Sequence, residues 1–89
     1  MIRTLIHTKT CKAIITQNQI GQFARIVGDF NPVHIDPKKA AETRFGGIIS
    51  HGMLGLGYTQ SLLFPYEIDR MEIKFVKPMR PGDEITVKV

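Results

Sequence analysis

Between Gly28 and Pro37 the chain reads Gly-Asp-Phe-Asn-Pro-Val-His-Ile-Asp-Pro, which sets two carboxylates, one imidazole, one amide and two prolines within ten residues. A carboxylate beside an imidazole can hold a water molecule and move its protons, the equipment of general acid–base chemistry. Asp29 and His34 are the pair in this stretch that could do so. On a straight chain their five-residue separation would span up to about 17 Å. Pro32 makes a different geometry, because it fixes its own φ and drives Asn31 toward extended backbone, giving a rigid turn on which the two side chains converge. Asn31 suits a bond to backbone or carboxylate inside that turn. Asp36 followed by Pro37 has the form of an N-cap with proline at the first helical position, so Asp36 is assigned to structure.

The elements that must position this pair are legible on both sides of it. Residues 3 to 15 alternate well enough, Cys11, Ala13 and Ile15 against Lys12 and Ile14, to predict a strand. His7 and Cys11 are read there as solvated or core-edge side chains. Thr16-Gln17-Asn18-Gln19 matches a capping box and starts a helix near residue 17. Its apolar positions Ile20, Phe23, Ala24 and Val27 follow the i, i+3, i+4, i+7 rule until Gly28 stops it, so Asp29 emerges just past a helix end. After the short helix begun by Asp36, Phe45-Gly46-Gly47 forms a loop. From Ser50 to Phe64 apolar residues cover nearly the whole circumference, predicting a buried helix wrapped on several sides, with Ser50 as its cap. Gly52, Gly55 and Gly57 each cost such a helix about 1 kcal/mol relative to alanine, which points to close approach of a neighbour or a ligand. His51 is read as a packed or helix-start residue without a catalytic role. Alternation returns over 66 to 75 and over 84 to 89, predicting two strands joined by the turn Pro78-Met79-Arg80-Pro81-Gly82-Asp83.

Composition bounds the rest. At 89 residues the chain holds a single domain over 1–89, near the lower limit of what core burial stabilises. A net charge of +4 without a cluster longer than Lys38-Lys39 argues against a nucleic-acid face and suits a small phosphate-bearing ligand. One cysteine and no long apolar block point to a reducing, cytoplasmic or organellar setting, with cytoplasmic the location expected, and without membrane insertion. His7, His34 and His51 lack ligand spacing and no cysteine pair exists, so no metal is expected; no glycine-rich phosphate loop follows a strand, so neither is a nucleotide cofactor.

Two stretches taken together, Gly28-Asp29-Phe30-Asn31-Pro32-Val33-His34 with Ser50-His51-Gly52-Met53-Leu54, and Phe75 through Asp83, closely resemble the MaoC-like family of hot-dog proteins. Its best-known members are (R)-specific enoyl-CoA hydratases. The resemblance runs from about residue 14 to the end. It implies an α+β hot-dog fold, an antiparallel sheet around a long central helix at about 51–64, and two further strands that this chain does not reach. It implies hydration of a 2-enoyl thioester of coenzyme A or acyl carrier protein, or the reverse dehydration of a 3-hydroxyacyl thioester, without a cofactor. Asp29 then matches the base, His34 its partner in proton transfer, and the Gly52 backbone N–H the donor to the thioester oxygen. Asn31 braces the turn and Ser50 the helix start. Relatives carry a serine along the central helix where Gln60 and Ser61 stand here. A homodimer or larger homo-oligomer is expected. A non-catalytic or truncated acyl-thioester-binding subunit and a hot-dog thioesterase are the alternatives.

Overall fold

The computed structural model describes residues 9–64 and 67–89, without the side chain of Ser61. Strand β1 (Thr10–Ile14) pairs antiparallel with β2 (Glu84–Lys88), with Cys11 opposite Val87 and Ala13 opposite Ile85. These four alternate with exposed neighbours in both strands, so one face of the ribbon turns inward, as the sequence pattern requires. Predicted strand residues 3 to 8 lie outside the described residues.

Helix α1 (Gln17–Val27) begins with the capping box: Gln19 N–H donates to Thr16 Oγ1, and Thr16 N–H to Gln19 Oε1. Ile20 and Ala24 are its buried face, while Val27, expected on that face, is 52% exposed. Gly28 closes the helix at φ 74°, a left-handed conformation that costs a residue with a Cβ. Two very short helices follow. In α2 (Pro32–Ile35) Asn31 is the N-cap and accepts from Val33 N–H; in α3 (Pro37–Ala41) Asp36 accepts from the N–H groups of Lys38 and Lys39. Asp36 is therefore structural, as read.

The helix expected over 51–64 is interrupted. It is present as α4 (Gly52–Gly57) and α5 (Gln60–Leu63), separated by a turn in which Tyr58 N–H and Thr59 N–H reach back only three residues, to Gly55 and Leu56. The Thr59 hydroxyl also takes the Leu56 carbonyl. Glycines at 55 and 57 lower the helical propensity just where this side chain competes for the backbone. Nor is the element wrapped throughout, since Met53 is 52% and Phe64 76% exposed.

The strand expected over 66–75 is not formed in its described part, residues 67–75. Ile73 and Phe75 are 45% and 61% exposed. Alternation specifies which face would be buried, but a strand also needs a neighbour to bond, and among the described residues β1 and β2 pair only with each other.

The tightest long-range tie is Arg80. Its guanidinium donates to the carbonyls of Phe45 and Ile48, while its backbone N–H donates to the Asp83 carboxylate. Ile15 N–H bonds Asp83 O, and Gly82 N–H bonds Ile15 O, so the 80–83 turn fastens both the end of β1 and the loop before α4. The buried apolar residues among those described are Ile15, Ile20, Ala24 and Ala40.

Candidate functional site

Asp29 is positioned by the end of α1. The left-handed Gly28 turns the chain so that the N–H groups of Gly28 and Asp29 both reach the Ala24 carbonyl. Asp29 Oδ1 then accepts from Asn31 N–H, committing one carboxylate oxygen to the turn and leaving Oδ2 free of that duty. The side chain is 51% exposed, so water reaches it.

His34 ends on the other side of the turn, 8% exposed. Its Nδ1 lies 2.7 Å from the Ile49 carbonyl, and a carbonyl only accepts, so Nδ1 carries the proton and Nε2 is left as the acceptor. Ile49 N–H bonds the Val33 carbonyl, and the Gln17 side chain holds the His34 carbonyl at 3.0 Å. One bond thus holds the imidazole, and two more tie its backbone and its acceptor in place.

The structure adds a residue that the sequence reading kept out of the chemistry. His51 is packed and at a helix start, as expected, being 4% exposed and the N-cap of α4. It also lies against both members of the pair. Its ring stacks on His34 with centroids 3.8 Å apart and planes 28° apart, and Phe23 covers it at 5.0 Å. Its Nε2 is 3.1 Å from the Asp29 carbonyl but 4.0 Å from the carboxylate, so its hydrogen bond goes to the backbone. The one signal in the sequence was its position next to Gly52.

Asp29, His34 and His51 each offer one ligand-type atom, all within 4.8 Å of one another. Two groups hydrogen-bonded to one water at about 2.8 Å and a tetrahedral angle stand about 4.6 Å apart. The spacing thus suits a carboxylate and an imidazole that share a water molecule. The residue types would also suit a cation, a set that separations of five and 17 residues did not suggest. Two of the four ring nitrogens are already on carbonyls, however, and the rings lie face to face.

His34, Ser50 and Gly52 line a cleft of about 640 Å³ whose other wall includes Phe75 and Met79. Gly52 is the first residue of α4, so its N–H has no acceptor within the helix. Ser50 does not cap this helix: His51 is the N-cap, no side chain among the described residues caps it, and the Ser50 hydroxyl donates to the His51 carbonyl at 3.0 Å. Ser50 is buried, and its N–H is bound to the Met79 carbonyl. Gln60 is exposed at the start of α5 and does not line this cleft.

The close approach implied by the glycines is to side chains. A Cβ on Gly52 would stand 2.5 Å from the Phe75 ring, and one on Gly55 2.6 Å from the Met79 methyl. Phe75 is a rigid ring and Met79 a flexible tip. We therefore expect Gly52→Ala to cost about 1–3 kcal/mol through overpacking, relieved when Phe75→Ala is added. Gly55→Ala should lie between neutral and about 1 kcal/mol stabilising, because helical propensity rises while Met79 swings aside. Urea unfolding of the four proteins checks both.

Residues 6–89 match the model of the MaoC like domain. The chain belongs to the MaoC-like family. It is 34% identical over 88 residues to the 3-hydroxybutyryl-CoA dehydratase of Methylorubrum extorquens, covering 92% of this chain and 56% of that protein. It is 35% identical over 77 residues to the (R)-specific enoyl-CoA hydratase of Aeromonas caviae, covering 80% of this chain and 58% of the relative. Among solved structures, the unliganded R-hydratase of Pseudomonas aeruginosa superposes with a TM-score of 0.81 at 26% identity, over 96% of this chain and 59% of that one. The MaoC-like chain thus spans a little over half the length of these relatives, and its fold is that of the hot-dog MaoC-like proteins. No helix among the described residues is long and apolar enough to cross a membrane.

Proposed function

We propose that this MaoC-like chain carries out the reversible hydration of a trans-2-enoyl thioester to the (R)-3-hydroxyacyl thioester, as a hydro-lyase. The observation that carries the reading is the pairing of the Asp29 carboxylate with a His34 imidazole whose Nδ1 is tied to Ile49, beside a cleft wide enough for an acyl chain. The names of the relatives point the same way: one is a 3-hydroxybutyryl-CoA dehydratase by name and another an (R)-specific enoyl-CoA hydratase.

In this reading the water lies between Asp29 and His34. Asp29 takes a proton from it as its oxygen adds to the β-carbon, His34 Nε2 accepts a hydrogen bond from the water as the partner in that proton transfer, and the proton held on Asp29 is then delivered to the α-carbon to complete the addition. Negative charge develops on the thioester oxygen, and the Gly52 N–H is assigned to receive it. That helix has six residues, so the assignment rests on a single donor without a long helix dipole. Asn31 supports the site through its backbone bond to Asp29, and Ser50 through the His51 carbonyl. No metal or organic cofactor enters any step. The carrier is coenzyme A or acyl carrier protein.

A homodimer or larger homo-oligomer belongs to the same proposal. Phe64, Phe75 and Val76 are 76%, 61% and 81% exposed, apolar surface that a second copy would cover. The free Cys11 fits a cytoplasmic location.

Crotonyl-CoA tests the reaction. Loss of the enoyl-thioester absorbance with formation of 3-hydroxybutyryl-CoA is the expected result. Release of free thiol would show a thioesterase instead, and binding without turnover a non-catalytic acyl-thioester module.

A further inference from the structure

His51 is buried to 4% exposure, and its Nδ1 is a buried nitrogen without a hydrogen-bond partner among the described residues. A polar ring placed so deep, with half of its bonding capacity unused, contributes less to stability than an apolar ring of the same size would. What the imidazole does have is one bond and one face. Nε2–H donates to the Asp29 carbonyl at 3.1 Å, and the ring plane lies under His34 at 3.8 Å. The next residue along the chain is Gly52.

We propose that His51 is a positioning residue of the acid–base pair: its Nε2–H fixes the Asp29 backbone while its ring face fixes the His34 imidazole, setting the gap across which the two share water. The inference rests on Asp29 and His34 being the reacting groups. The Asp29 side needs this tie. Residues 29 to 31 lie between helices, the Asp29 side chain is half exposed, and beyond the Ala24 and Asn31 contacts the bond from His51 is, among the described residues, the one that reaches residue 29 from a distant part of the chain. The His34 side is already held through Nδ1 but would be free to tilt about that bond without a surface beneath it. Phe23 also packs against the His51 ring, tilted by 58° at 5.0 Å, so contacts through His51 connect α1, the start of α4 and α2. Displacements on the order of 1 Å in such a pair cost about 10²-fold in rate, which is the effect a positioning residue can have without touching substrate.

Two substitutions separate the bond from the packing. His51→Phe keeps a ring for the stack and removes the Nε2–H; His51→Gln keeps an N–H at about the reach of Nε2 and removes the ring. With crotonyl-CoA as substrate, His51→Phe is expected to lose roughly 30- to 100-fold in kcat with KM within about threefold, at undiminished resistance to urea. His51→Gln should keep kcat within roughly tenfold of wild type while losing stability. A residue that only packs would give the opposite order, so His51→Phe turning over at the wild-type rate overturns the proposal. Imidazole ¹⁵N spectra of the unmodified protein give a check that needs no variant to fold and no turnover: His51 is expected with its proton on Nε2 and His34 with its proton on Nδ1. His51 protonated on Nδ1 alone overturns the proposal. A wild type inactive on crotonyl-CoA but with these two tautomers would sink the hydratase reading and leave the wiring of the pair standing.

Discussion

Asp29→Asn is expected to lower kcat by roughly 10² to 10⁴, the range for losing a positioned general base, with KM changed little. The substitution is close to isosteric. The Asn31 N–H that bonds Oδ1 finds the amide oxygen in its place, and the Asp29 backbone keeps its bonds to Ala24 and His51. What disappears is the oxygen able to take a proton. Stability should therefore stay within about 0.5 kcal/mol of wild type, as for an exposed position away from the core. Measuring crotonyl-CoA hydration alongside urea unfolding separates the two effects, and turnover within threefold of wild type would remove Asp29 from the chemistry.

The second large effect is on the scaffold. Ile20→Ala should destabilise by about 2–5 kcal/mol, the usual cost of emptying a core site that cannot collapse. A domain of this size has about 4–13 kcal/mol in total. Ile20 is fully buried on α1, the helix just past whose end Asp29 emerges, and among the described residues Ile15 is the other large side chain buried as completely. Much of the population should then be unfolded in modest urea, with activity falling in proportion. Ile26→Ala, on the same helix but 81% exposed, should stay within about 0.5 kcal/mol. Equal effects at the two positions would mean that α1 is not docked through Ile20.

What was legible in the sequence was short-range. Thr16 with Gln19, Gly28, and Asp36 with Pro37 are signals whose partners lie within four residues, and each is found as read. The Asp29–His34 proximity was legible for the same reason, since Pro32 sits between them. The misreadings involve partners the sequence does not name. The 66–75 alternation had the right period for a strand but no neighbour in the described sheet, and the 51–64 helix was judged on its apolar coverage although Gly55, Gly57 and Thr59 interrupt it. Within the site, His34 and His51 are oriented by the carbonyls of Ile49 and Asp29. Every residue type has that group, so no pattern of side chains announces it.

The Arg80 tie also bears on the order in which the molecule assembles. Its acceptors, Ile48 and Phe45, lie 32 and 35 residues earlier in the chain. Contacts over such separations form late, because the entropy of closing the loop is lost before the contact returns anything. The α1 cap and the Pro32 turn involve neighbours and can form at once. Asp29 and His34 are thus brought near each other early in folding, whereas the cleft beside them acquires its wall only when the 78–83 turn arrives.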